Sequence, residues 1–390
     1  MTPADQATAW LARLPASQLA AAHAHTDVRL VAWLGGLALL LAACALLSRA
    51  GLMDRIARRL QSARPRPWLT SAAAAVLLTL ILATLKAAFD ALMGAWGDQV
   101  LAAGGGVAPG PGLSARLAAA GGGVAPVMIA ALIFVPLILW LMRRAPRAWP
   151  LIAGAALTAA ILLVGWLPYA LSLGPPLTPL PAGPVRDGLT QLIDHTGLPA
   201  HQVWFAADPP GFDADVTGGF GAAQVSVGPE LAAAPPAETR AYVAHIMGHY
   251  VHGDILNVSL LVALTLFVGM LAVQRLAAPL ARLTGARAVQ SPADPAALPA
   301  VAALAILGVA AAMLVAGAYL RWANVGADAY SLNQAREPDG LAAVLEREWD
   351  HASVDPSPLE TLIFYTHPPL EGRLQQIAAW KASTAPPFHG

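Results

Sequence analysis

The chain has 390 residues, 57% of them hydrophobic and 12% charged, against roughly 25% charged in an ordinary soluble domain. That composition excludes a water-borne globule and belongs to a bilayer. The 23 basic and 23 acidic residues cancel, and the single cysteine, Cys44, rules out both a disulfide framework and a cysteine-based metal site.

Residues 1–29 are polar and carry no basic run ahead of the first apolar stretch, so no cleavable signal peptide is expected and the first span reads as a permanent anchor. Apolar runs long enough to cross ~30 Å of hydrocarbon fall at about 30–47, 68–89, 122–142, 149–172, 255–273 and 299–320. Three intervening loops are rich in arginine: Arg49, Arg55, Arg58, Arg59, Arg64 and Arg66; then Arg143, Arg144 and Arg147; then Arg275, Arg282 and Arg287. With six spans all three loops share one side, which the positive-inside bias makes cytoplasmic. The other side receives residues 1–29, the flexible glycine-rich stretch "GGGVAPGPG", and two polar segments, 174–254 and 321–390. Those two segments hold 17 acidic and 7 basic residues, a charge of −10 that excludes a nucleic-acid partner. The organisation is thus a polar segment (1–29), a four-span region (30–173), a two-span hairpin (255–320), and one extramembrane α+β domain in two parts (174–254 and 321–390). An alanine-rich chain without a leader reads as a bacterial inner-membrane protein with its acidic domain in the periplasm.

Within the polar segments, "VRDGLTQLIDHTG" predicts a short amphipathic helix in which Val185, Leu189, Leu192 and Ile193 share a face and Gly197 caps the C-terminus. "HQVWFAA" predicts a strand. "DADVTGGFGAAQVSVGPEL" predicts two more, broken by glycines, and the alternation of Gln224, Val225, Ser226 and Val227 suggests an exposed edge strand. Pro235, Pro236 and Glu238 start a helix that runs through His249 to about His252, before Gly253. After the sixth span, "RWANVGADAYSLNQA" continues as helix, "DGLAAVLEREWDHA" forms another, and Leu370, Leu374 and Ile377 define the buried face of the last.

His245 and His249 lie four apart on their helix, so both imidazoles can face one tetrahedral ion. His252 lies about 10 Å along the axis from His245, so all three cannot bind one ion on a straight helix. A lone H-x-x-x-H pair is a weak signal. The wider pattern is stronger: a multi-span N-terminal half, the glycine-broken strand pair, "AHIMGHYVHGD", an apolar span, "NVGADAYSL" and "YTHPPLEGRL" follow one another in order. In this the chain resembles the integral-membrane zinc metalloproteases of the type I CAAX prenyl protease family, relatives of the HtpX protease, over most of residues 28–381.

The resemblance implies a zincin-like α+β domain on a multi-span helical membrane protein, zinc as cofactor, and a peptide or membrane-protein substrate or client in the lipid bilayer. It also implies a catalytic face in the cytosol, against the arginine count. In that family the first helix reads H-E-x-x-H, and a second helix carries E-x-x-A-D, whose glutamate is the third zinc ligand. Here Ile246 stands at the base position and Asn324 at the third-ligand position, while Ala327 and Asp328 keep the A-D pair. Asp213 replaces the asparagine of an N-A motif beside the substrate, and Ala214 is retained. His367 and Arg373 match an H-P pair and a downstream arginine that support the oxyanion or the ligands; alternatively "THPP" is only a helix start with Thr366 as its N-cap. Isoleucine can neither take a proton from metal-bound water nor return it to a leaving amine, and a neutral amide is a poorer zinc ligand than a carboxylate. Three readings follow: a catalytically impaired metallopeptidase homologue that binds peptides or a membrane partner, with Gln224, Val225, Ser226 and Val227 as its binding strand; an active zinc endopeptidase using an unconventional group such as Asp328; or a structural or transport-related membrane protein, disfavoured because the spans carry few ionisable residues, chiefly Lys86 and Asp90.

Overall fold

The computed structural model describes residues 2–63, 67–104, 110–174, 176–207, 213–219, 221–286, 289–349 and 352–384. Arg64, Arg66 and Arg287 of the arginine-rich loops, and residues 105–109 of the glycine-rich stretch, lie outside them. The elements run α1 (Pro3–Leu11), α2 (Ala16–Arg49), α3 (Leu52–Ala63), α4 (Pro67–Ala103), α5 (Leu113–Arg144), α6 (Trp149–Ile161), a π-helical turn (Leu162–Trp166) and α7 (Leu167–Ala170). Then come β1 (Thr178–Pro179), α8 (Pro184–Thr196), β2 (Val203–Phe205), β3 (Ala214–Thr217), β4 (Gln224–Val227), α9 (Pro229–Ala232), α10 (Pro236–His252), α11 (Asp254–Leu283), α12 (Leu298–Gln334), α13 (Pro338–Arg347), α14 (Pro358–Phe364) and α15 (Leu370–Thr384). Among the described residues six helical stretches are long and apolar enough to cross a membrane: Ala16–Arg49, Thr70–Ala103, Leu113–Arg144, Trp149–Ala170, Asp254–Leu283 and Pro295–Gln334.

The chain divides into two compact units. One comprises Ala24–Thr158 and Val262–Leu314, all from spans and their connections. Its core joins Cys44 of α2, Leu78 of α4, Leu139 of α5, Trp149 of α6, Ala277 of α11 and Leu298 of α12. The pair of ionisable groups inside a span, Lys86 and Asp90, meet each other at 2.7 Å, as a charge in hydrocarbon requires. Most of the first arginine-rich loop is in fact the helix α3. Leu52, Met53, Ile56 and Ala57 recur at helical spacing and pack inward, while Arg55, Arg58 and Arg59 lie outside, so the arginine density had hidden an amphipathic period.

The other unit comprises Met1–His23, Ala159–Leu261 and Val315–Gly390. Its sheet has the order β1-β2-β4-β3, with β2 and β4 parallel and the outer pairs antiparallel. Val203, Val216, Val225 and Val227 point to one face, where they meet Leu189, Leu192 and Ile193 of α8 and Val243, Ala244 and Met247 of α10. Gly197 takes the cap position after α8 with φ 66°. A second cluster gathers Ala7 and Trp10 of α1, Leu341 of α13, and Leu374 and Ile377 of α15.

The strand Gln224–Val227 corrects the sequence reading. It is paired on both sides, with Val225 opposite both Val203 and Val216, so it has no free edge to offer a peptide. Its alternation reflects a sheet with one apolar and one polar face, not an exposed rim. Among the described residues the two edge strands are β1 and β3, and neither has a strand on its outer side.

Two glycines shape the next step. Gly253, at φ 67°, ends α10 in a left-handed turn that L-residues with a Cβ avoid, and α11 starts at the following residue. Gly248 lies against α12: a Cβ there would stand 2.9 Å from Ala327 Cα and 3.1 Å from Tyr330 Cβ. Its missing side chain lets the two backbones touch, and this contact brings the α10 histidines within reach of α12. α15 begins only at Leu370, so Thr366 is not its N-cap.

Candidate active site

His245 and His249 face the same way from α10, their ring centroids 4.9 Å apart and nearly perpendicular. His245 is buried and His249 half-buried. Each Nδ1 meets a carboxylate: that of His245 lies 2.8 Å from Asp328 Oδ1, and that of His249 lies 2.8 Å from Asp254 Oδ2. A carboxylate partner can only accept, so each Nδ1 is the donor, and in a neutral ring this leaves the lone pair on Nε2, the form a metal ligand needs. Burial lowers the His245 imidazole more than Asp328 raises it, which keeps that ring neutral.

The carboxylates are themselves held. Asp328 takes Arg373 Nε on Oδ2 at 2.7 Å and Arg373 Nη2 on Oδ1 at 2.6 Å. Asp254 takes the Tyr319 hydroxyl on Oδ1 at 2.7 Å. Both oxygens of Asp328 are therefore engaged with donors, an arrangement that suits orienting His245.

Asn324 lies one helical turn before Asp328 on the same face of α12. Its Nδ2 donates to the carbonyls of Leu320 at 2.9 Å and Thr366 at 3.1 Å. Carbonyls can only accept, so the amide nitrogen must face them, and Oδ1 turns the other way. That oxygen is buried with no hydrogen-bond partner. A buried acceptor left unpaired costs about 1–3 kcal/mol, so it marks a place for a donor or a cation.

The donors suited to a metal ion are then two imidazole Nε2 atoms and one amide oxygen. Among the described residues no three His, Cys, Asp or Glu side chains come together to hold one. The set is neutral and oxygen-poor, but its orphaned Oδ1 and its paired imidazoles fit a divalent ion better than they fit an empty hydrophobic site.

Ile246 follows His245 on α10 and packs, half-buried, against the sheet core. No proton acceptor stands in its place. His367 is open to solvent on one side, yet the protein around its ring, then Arg373 and His245, hold its imidazole down at about 4. It is neutral at pH 7. Arg321 ties the preceding segment down by donating to the carbonyls of Thr361 and Tyr365 at 2.9 and 2.5 Å.

Of the expected substrate contacts, Asp213 and Ala214 stand at the head of β3, with Asp213 Oδ1 accepting from Ala214 N at 2.8 Å. Gln224, Val225, Ser226 and Val227 lie inside the sheet. Two site residues escaped the sequence reading. Asp254 had a signal, a carboxylate opening an apolar span five residues after His249. Tyr319 had none, because a phenol near the end of a span reads as an interface anchor.

Residues 179–381 match the family described as Peptidase family M48. Among solved structures the chain is similar to the crystal structure of Ste24p from S. mikatae, at 16% sequence identity and a TM-score of 0.53, over 78% of this chain and 76% of that one. No curated protein matches the chain.

Proposed function

Because the chain belongs to peptidase family M48, we propose that it is a membrane metallopeptidase homologue that has lost the hydrolytic step and keeps peptide or membrane-protein binding, with a weakened zinc site. The observation that carries this reading is Ile246 directly after His245, on a helix whose two histidines are each held by a carboxylate. His245 and His249 would hold the ion through Nε2, with Asn324 Oδ1 as third donor; Asp328 and Asp254 fix the two rings, and Arg373 fixes Asp328. When bound, zinc supplies Lewis-acid polarisation of a carbonyl or water. The base position itself offers nothing, since the Ile246 side chain has no atom that can receive a proton and hand it on.

Peptide binding loses the support that an exposed Gln224–Val227 would have given. It rests instead on β3, an edge strand among the described residues that begins directly after Asp213, so that an extended chain can add to it by main-chain hydrogen bonds. Calorimetric titration of metal-stripped protein with zinc is the test. One site per chain is expected, abolished in His249→Ala and weakened about tenfold or more in Asn324→Ala. Chelator-sensitive cleavage of an unstructured peptide by the unmodified protein would overturn the loss of hydrolysis, and absence of zinc binding would overturn the metal assignment.

We further infer a bacterial inner-membrane location with both polar segments in the periplasm, on the strength of the arginine-rich connections. A periplasm-dependent phosphatase fused after Gly390 is expected to be active. Activity only from a cytoplasm-dependent reporter there reverses the orientation.

A further inference from the structure

The face of the sheet turned away from α8 and α10 is built differently from the core face. Ser226 of β4 is in register with Trp204 of β2 on one side and Asp215 of β3 on the other. An indole, a hydroxyl and a carboxylate therefore stand in one row at the ~4.8 Å strand spacing. The row lines a pocket of about 510 Å³, which Asp213, Tyr169 and Leu173 also line. The turn after α7 is pinned to β3: Gly218 N donates to Tyr169 O at 2.9 Å, Thr217 Oγ1 donates to Ser172 Oγ at 2.9 Å, and Ser172 itself takes a φ of 49°. The pocket is a fixed feature of this unit.

Two independent observations point to what it takes. Ser226 is only 8% exposed, yet its hydroxyl, on the pocket wall, has no hydrogen-bond partner among the described residues. Asp213 and Asp215 stand together without a lysine or arginine partner among the described residues. Their surroundings agree, since partial burial and then the Asp213 carboxylate hold Asp215 above the ordinary carboxylate range, and Glu348 lies within electrostatic reach of Asp213. An anion or a phosphate would meet two negative groups here; a cation would find two carboxylates, a free hydroxyl and the face of an indole.

We propose that this pocket binds the guanidinium or ammonium group of a basic residue in an extended peptide lying along the outer side of β3. A planar guanidinium can donate to Asp215 and Ser226 together while stacking on Trp204, and Asp213 adds long-range attraction. The cation preference stands on the pocket; the peptide as its source rests on the binding reading above.

The test uses the full chain in detergent micelles, titrated with labelled peptides identical except for one Arg or one Gln, and separately with agmatine as a free guanidinium. The Arg peptide is expected to bind about tenfold or more tightly than the Gln peptide, agmatine is expected to compete, and Asp215→Asn is expected to erase the preference. Equal affinity for the two peptides overturns the cation pocket and leaves peptide binding standing. Agmatine binding lost in Asp215→Asn, with neither peptide bound, keeps the pocket's chemistry and overturns the peptide as its source. Binding of neither agmatine nor the Arg peptide overturns the proposal outright, and stronger competition by phosphatidylethanolamine than by agmatine reassigns the pocket to a lipid headgroup and overturns it too. If Asp215→Asn melts early, Asp213→Asn is the variant to read, and an undiminished Arg preference there counts against the proposal.

Discussion

Changing Ile246 and Asn324 together to glutamate is expected to produce chelator-sensitive endopeptidase activity that neither single change produces. A glutamate at 246 alone has a metal held by two imidazoles and an amide, so little activated water exists for it to deprotonate. A glutamate at 324 alone completes a His, His, Glu set with one open position and should tighten zinc about tenfold or more, but without a base it leaves hydrolysis near background. The 324 change also has a cost visible in the structure. Asn324 Nδ2 holds the Thr366 carbonyl, and a carboxylate has no N–H to offer it, so about 1 kcal/mol of loop tethering is lost beside His367. The measurement is kcat/KM on a quenched peptide with and without phenanthroline. With both glutamates present, a gain of about 10²-fold or more over the 324 single variant is expected from general-base catalysis. A zinc-loaded double variant no faster than that single variant would show that Ile246 is not what silences the site.

Asp328→Ala is expected to destabilise the extramembrane unit more than any other single change at the site. Asp328 is 1% exposed and receives two bonds from Arg373 and one from His245, so its removal leaves a guanidinium that is itself only 9% exposed without its counter-charge. Breaking one partner of such a pair costs about 3–5 kcal/mol, against the near-neutral effect of replacing both partners with apolar groups. The double change Asp328→Ala with Arg373→Met should accordingly lose less than Asp328→Ala alone. Thermal melting of the full chain in detergent reads both. A loss under about 1 kcal/mol for Asp328→Ala would mean that water reaches Arg373 freely.

The parts of the fold that were legible in the sequence are those set by local periodicity. Runs of apolar residues gave the six spans, although α2, for example, extends as helix from Ala16 to Arg49, well past its hydrocarbon-length core. Leu189, Leu192 and Ile193 gave α8, and the prolines before Glu238 and the glycine at 253 gave α10. Pairing was not legible. Nothing local distinguishes Gln224–Val227 as an edge from the same residues between two neighbours, because the partners sit at 203–205 and 214–217 and are chosen by the whole sheet. α14 shows a missed local signal, since Ser357 and Glu360 form a complete capping box. At the site, the histidines and the two missing glutamates could be read from spacing and resemblance. The hold of Asp254 on His249 depends on how the chain turns at Gly253, and the hydrogen bonds that set Asn324 and His245 bring together residues 42 and 83 positions apart, which no local pattern announces.

Asp254 is the first residue of α11, and Tyr319, Asn324 and Asp328 all belong to α12, so every group that aims a histidine arrives with one of the last two membrane helices. A ribosome that has finished residue 252 has made both histidines and none of their partners. Until α11 and α12 have been inserted and Arg373 has followed them, the imidazoles have no fixed tautomer and no defined direction. The site thus comes into being only late in biogenesis, and a water-soluble excision of residues 174–252 would carry the histidines without it.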